Sequence, residues 1–200
     1  MVLKDMMLIR KYLLYILAIT LIFSVVFDPF IICVLGPVLF GSLLGSTFAL
    51  DEQCRWYMFA VSTGYDRKGI VNSKYVSAAV LVLIGTVVGL LFATASGLIR
   101  GSPDILSLLM MSVLGMLAGL LAAFVSICVN FLVESPAKAS SLNTAVTAIT
   151  IGFFVASSMI SFDLLGGASY WILAVMAVFV AVVGFGTHGL TAKRFLLKDL

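Results

Sequence analysis

The residues of this chain whose types and spacing could do chemistry gather in one stretch, 51–75 (DEQCRWYMFAVSTGYDRKGIVNSKY). Four of its twelve basic residues lie there, Arg55, Arg67, Lys68 and Lys74, behind two opening acids, Asp51 and Glu52. Asp51 and Arg55 stand four apart, the spacing of an intrahelical ion pair worth ~0.3 kcal/mol. Trp56, Phe59 and Ala60 follow at i, i+3, i+4 and share one face of a short helix expected over 51–62. Ser62-Thr63-Gly64 should end it, glycine being a natural stop at a helix C-terminus. Asp66 is placed to cap a second helix. Arg67 and Lys68 fall in that helix's first turn, where the dipole disfavours cations. They therefore serve something other than helix stability, either lipid phosphates or an acidic partner. Charges interleaved with aromatic rings perform contact chemistry rather than bond-making chemistry.

Bond-making motifs are missing from the sequence. It holds no G-x-x-x-x-G-K-[ST] and so no P-loop for nucleotide. It holds no H-E-x-x-H, and its one histidine, His188, reads as an interfacial surface residue. Cys33, Cys54 and Cys128 are odd in number and irregular in spacing, which gives neither a disulfide framework nor a metal pattern. Asp28, Asp104 and Asp163 sit at the ends of apolar runs, where water reaches them. A self-driven carrier usually buries an ionisable group near the membrane midplane, and the sequence offers none. No acid–base pair or nucleophile constellation marks an intramembrane enzyme.

The elements that must hold the 51–75 stretch are apolar. The chain of 200 residues is 62% hydrophobic and 10% charged, with mean hydropathy +1.23. A soluble domain carries about 25% charged residues, so this is an integral membrane protein. A helical span takes about 20 apolar residues. The runs predict an all-α fold of six transmembrane helices at about 12–27, 30–50, 76–99, 105–133, 144–162 and 170–187. A short interfacial helix precedes the first, which lacks a small-residue cleavage site behind it. Pro37 should kink the second, and the fourth is longer than one crossing needs. The turn 100–104 and the loops 51–75, 134–143 (ESPAKASSLN) and 163–169 connect the spans.

Six spans place eleven of the twelve Lys/Arg on one side and leave only Arg100 on the other. By the positive-inside rule, both termini and the 51–75 loop are cytoplasmic. Glycines four apart, Gly41/Gly45, Gly85/Gly89 and Gly115/Gly119, allow close helix approach or dimer contact.

At the polar stretch the sequence resembles a known family. Glu52, Trp56, Ser62 and Arg67-Lys68-x-Ile70-Val71-x-Ser73-Lys74-Tyr75, with the opening Lys4-Asp5-x-x-Leu8-Ile9-Arg10-Lys11-Tyr12, are similar to the small bacterial ABC-2 type transporter permeases. The layout of the whole chain agrees; the motifs cover about thirty residues. One departure is Gly64, where the family often carries proline. The resemblance implies a permease subunit of an ATP-driven exporter in the bacterial cell membrane, moving hydrophobic or amphipathic cargo such as peptides or drugs. It implies a coupling helix within about 51–63 that docks on a separate ABC ATPase subunit, with the 134–143 loop as a lesser contact. Candidate coupling residues are Asp51, Glu52, Arg55, Trp56, Phe59, Arg67 and Lys68. ATP and Mg would be held by the ATPase, and this chain would carry no cofactor and no catalytic or metal site. A second permease chain, identical or related, would complete the assembly among membrane lipid, without nucleic acid. The alternative is a non-catalytic membrane partner, such as an immunity or assembly protein, which a basic cytoplasmic face suits equally well.

Overall fold

A computed structural model describes residues 2–101, 105–133, 136–164 and 169–197, with side chains at 2–101, 105–133, 138–152, 154 and 173–195. All elements among them are helices: α1 (Val2–Val26), α2 (Pro29–Ser42), α3 (Leu44–Gln53), α4 (Trp56–Ser62), α5 (Arg67–Arg100), α6 (Ile105–Leu132), α7 (Pro136–Leu164) and α8 (Ser169–Leu197). Five stretches among the described residues are long and apolar enough to cross a membrane: Val2–Val26, Pro29–Gln53, Arg67–Arg100, Ile105–Leu132 and Leu173–Phe195.

The bundle is built around α2, which packs on α5 and α6. Asp28 starts it, its Oδ1 accepting from the Phe30 N–H at 3.1 Å, with Pro29 in the first turn, where its missing N–H costs nothing. In lipid no hydrophobic force drives helices together, so small residues that admit a neighbouring backbone do the work. Gly36 lies against Gly85 and Gly89 of α5, while Gly115 and Gly119 of α6 lie against Cys33 and Pro37. Two of the three expected glycine pairs thus serve packing within the chain. Gly41 of the third meets Val82 and Gly119, but Gly45 faces open space. The outer faces of α1 (Leu14, Tyr15, Val25) and α8 (Val178, Val182, Phe185) are exposed apolar surface, suited to lipid.

Several boundaries differ from the sequence expectation. There is no separate interfacial helix before the first span, because α1 runs unbroken from Val2. The second span is helical through Pro37 and is interrupted at Leu43, a break the sequence reading did not expect. There the Leu43 N–H turns to the Phe40 carbonyl at 3.2 Å, and the flanking Ser42 and Ser46 hydroxyls donate to Leu39 O and Leu43 O. Serine side chains that compete for main-chain carbonyls favour such a break. The 134–143 loop is mostly helical, since α7 begins at Pro136, a residue suited to a first turn. At the other end α8 continues past 187 to Leu197. Residues 102–104, 134–135 and 165–168 of the expected connections, and the Asp163 side chain, lie outside what is described. α5 has 34 residues, about 50 Å of helix, so its first turns stand beyond a hydrocarbon core of about 30 Å.

Candidate functional site

Residues 51–62 are not one continuous helix but the end of α3 followed by the short α4, and the stretch then runs into the first turns of α5. α3 ends at Gln53, and Arg55 takes a left-handed conformation (φ 50, ψ 37) before α4 starts. The expected Asp51–Arg55 pair does not form. The Asp51 carboxylate is buried and turned inward, paired with Lys4 and, at 2.7 Å, with Lys74. Lys74 Nζ also donates to Asp5 Oδ1 at 3.0 Å and to Thr47 Oγ1 at 3.1 Å. Ser77 Oγ donates to Asp5 Oδ2 at 3.0 Å, and Lys4 lies 3.4 Å from the same acid. Two acids and two lysines from α1, α3 and α5 thus form one charge-balanced cluster. Asp5, Asp51 and Lys74 are each 1–2% exposed.

Sequence reasoning missed this cluster by assigning its members to solvated ends. A signal was present. The buried positions of α5 recur at Ile70, Val71, Lys74, Ser77, Ala78 and Leu81, so Lys74 falls on the inward stripe of its helix. Asp5 stands likewise one turn before the buried Ile9. A lysine on a buried stripe demands an acid opposite it.

α4 hangs on this cluster. Lys4 Nζ sits 4.5 Å from the centre of the Trp56 ring, a cation–π contact joining α1 to α4. Tyr57 stacks near Phe131 (6.0 Å) and Phe195 (5.8 Å). Burial first, and then the Asp51 charge, push the Tyr57 phenol well above its ordinary pKa. Ala60 is fully buried against Ile70, Val71 and Phe195. The helix ends as expected at Gly64 (φ 86): Gly64 N–H bonds Val61 O at 3.1 Å and Tyr65 N–H bonds Ala60 O at 3.0 Å. This crossed pair closes a helix C-terminus on a left-handed glycine. Asp66 occupies the N-cap position of α5, but its side chain makes no capping bond.

The expected coupling residues therefore divide. Glu52, Arg55, Phe59 and Lys68 are exposed, Trp56 is half-buried and Asp51 is internal. Arg67 is half-buried, its Nη1 donating to Phe195 O of α8 at 3.4 Å. The predicted Trp56/Phe59/Ala60 face splits, Ala60 facing the bundle and Phe59 facing out. Arg55 is the one non-glycine residue among those described with positive φ. Arg55→Gly should stabilise the fold by about 1 kcal/mol while removing the guanidinium. Thermal unfolding against Arg55→Ala, which keeps the strain, separates the backbone effect from the charge.

Across residues 1–195 the chain matches the family described as ABC-2 family transporter protein. The chain belongs to that family. No curated protein and no solved structure matches it. Membership makes the protein a multi-pass membrane component of an ABC transporter, a permease rather than a motor. In this ABC-2 permease, the short α4 gathers contacts from four long helices at one end of the bundle.

Proposed function

We propose that this chain is the six-span permease subunit of an ATP-driven exporter, with α4 and its flanks forming the coupling surface for a separate ATPase subunit. One observation carries the reading. α4 holds Trp56, Tyr57 and Ala60 against α1, α5, α6 and α8, while Met58 and Phe59 on its other face are 48% and 56% exposed. Glu52, Arg55 and Lys68 of the same polar stretch are exposed as well. Apolar anchors inside a charged rim are the anatomy of a protein contact. A push on Phe59 would be transmitted at once to the ends of four long helices.

Within this reading Asp51 and Arg67 position the coupling surface instead of touching the partner, and Trp56 joins them through Lys4. α7, 29 residues long, supplies the sixth span. The distribution of Lys/Arg then turns both termini and α4 to the cytoplasm of a bacterial cell. The motor, with its ATP and Mg, closes as a dimer and needs two permease chains, identical or related. Cargo moves outward and is apolar or amphipathic.

The test is a mild-detergent pull-down of the tagged chain, assayed for a stoichiometric ATPase. Phe59→Asp should weaken co-purification about 30-fold, the loss of one interface hot spot, and Lys68→Glu should weaken it further. Both side chains are exposed, so folding is retained. A preparation that holds no ATPase under crosslinking would turn the assignment to a non-catalytic membrane partner.

A further inference from the structure

We propose that the cavity between α3, α6 and α7 is a binding site for amphiphiles whose head group donates N–H hydrogen bonds. Its transport role rests on the permease reading, but the site itself is formed by a single chain. The cavity has a volume of about 870 Å³, within the ~300–1,000 Å³ of small-molecule sites. It reaches from Ser42 to Glu52 along α2 and α3, about 15 Å of helix. Phe48, Phe131 and Ile151 give it an apolar side, and hydroxyl and amide residues give it a polar one.

The polar side has a definite sense. Ser42 and Ser46 donate their protons to Leu39 O (2.7 Å) and Leu43 O (2.9 Å). Thr144 and Thr147 donate theirs to Ser140 O (3.0 Å) and Asn143 O (2.8 Å). All four line the cavity with their protons committed to their own helices, so their oxygens present lone pairs. Asn143 Oδ1 adds a buried acceptor with no hydrogen-bond partner, the Tyr57 hydroxyl is likewise buried without one, and Glu52 lines the cavity together with Asp51, whose carboxylate is held by Lys4 and Lys74. Arg55 is the one cation among the lining residues.

Such a lining selects by proton supply. A carboxylate or phosphate head would set its lone pairs against most of this lining, with Arg55, the Tyr57 hydroxyl and the Asn143 amide N–H groups as the donors to meet it. A quaternary ammonium has charge but no proton to give. A primary ammonium or an amide supplies N–H donors while its chain lies on the apolar side. These two share the required chemistry, and the cavity's acceptors serve both.

The chain in lipid nanodiscs would be offered dodecylamine, dodecanamide, dodecyltrimethylammonium and dodecanoate, each with the same terminal diazirine, and labelled residues mapped by mass spectrometry. Amine and amide should label 42–58 and 139–151 saturably; the other two should label only the lipid faces of α1 and α8. Asn143→Leu should weaken both N–H probes about tenfold, with Asn143→Gln restoring them. Asn143→Asp should strengthen the amine alone if the head is cationic and leave the amide ahead if it is not. Equal cavity labelling by all four heads, or indifference to Asn143, would overturn the proposal. If this labelling holds while no ATPase co-purifies, the site stands and the permease assignment falls; the reverse pattern leaves a permease without this site.

Discussion

Replacing Lys74 by methionine should destabilise the folded chain by about 3–5 kcal/mol, the cost of breaking a buried ion pair from one side. Lys74 bridges Asp5 and Asp51 at 3.0 and 2.7 Å. Without it, two carboxylates that are 1–2% exposed would share the single ammonium of Lys4, and Thr47 would lose its donor. Methionine keeps the apolar stem and drops only the terminal ammonium, so the loss is chiefly electrostatic. The double variant Asp5→Leu/Lys74→Met removes one charge of each sign and leaves Lys4 with Asp51. It should recover most of the loss, because apolar replacement of a whole buried pair is often neutral. The temperature at which the solubilised chain loses monodispersity would report both. A single variant within about 1 kcal/mol of the parent would mean that water screens the cluster as it screens a surface pair. Lys4 also holds the Trp56 ring, so the single variant should loosen α4 and lower ATPase coupling beyond what the stability loss explains.

This cluster shows what the sequence disclosed and what it hid. The helical membrane class followed from composition, because no soluble core absorbs so much apolar surface. The stop at Gly64 was legible because a left-handed position favours glycine. The ion pairs were not legible, because Lys4–Asp51 and Asp5–Lys74 are 47 and 69 residues apart and local spacing favoured Asp51 with Arg55. A pair four apart on an exposed helix offers a few tenths of a kcal/mol, which tertiary pairing readily overrides. Pro37, expected to kink the second span, lies inside continuous helix. A proline inside a helix frees the carbonyl four residues back, here that of Cys33, and Gly115 packs against that carbonyl, so the helix persists where an isolated one would break. The interruption falls instead at Leu43, where serines on both sides compete for carbonyls. Among the candidate coupling residues, the sequence could not show that Asp51 faces inward and Arg67 reaches α8.

Gly115→Ala should cost about 3 kcal/mol, the upper end for overpacking. A Cβ there would stand 2.2 Å from Cys33 O and 2.9 Å from Val34 Cα. Both obstacles are main chain, so no rotamer change relieves them, and α2 and α6 must separate. Separation spreads, because α2 is held to α5 by the same device at Gly36, Gly85 and Gly89. The control is Gly186→Ala, which meets nothing within 4 Å and should gain up to ~1 kcal/mol from helix propensity. Thermal unfolding of the two variants side by side decides the matter: similar values would mean that α2 and α6 are not in main-chain contact. The contrast bears on mechanism. Glycine seams bind α2, α5 and α6 into one block, whereas α2 meets α7 through the side chains of Val34, Val38 and Phe154. α7 also lines the cavity. An outward path that formed by moving α7 against the block would leave the glycine seams intact, so Gly115→Ala should impair folding and transport together, never transport alone.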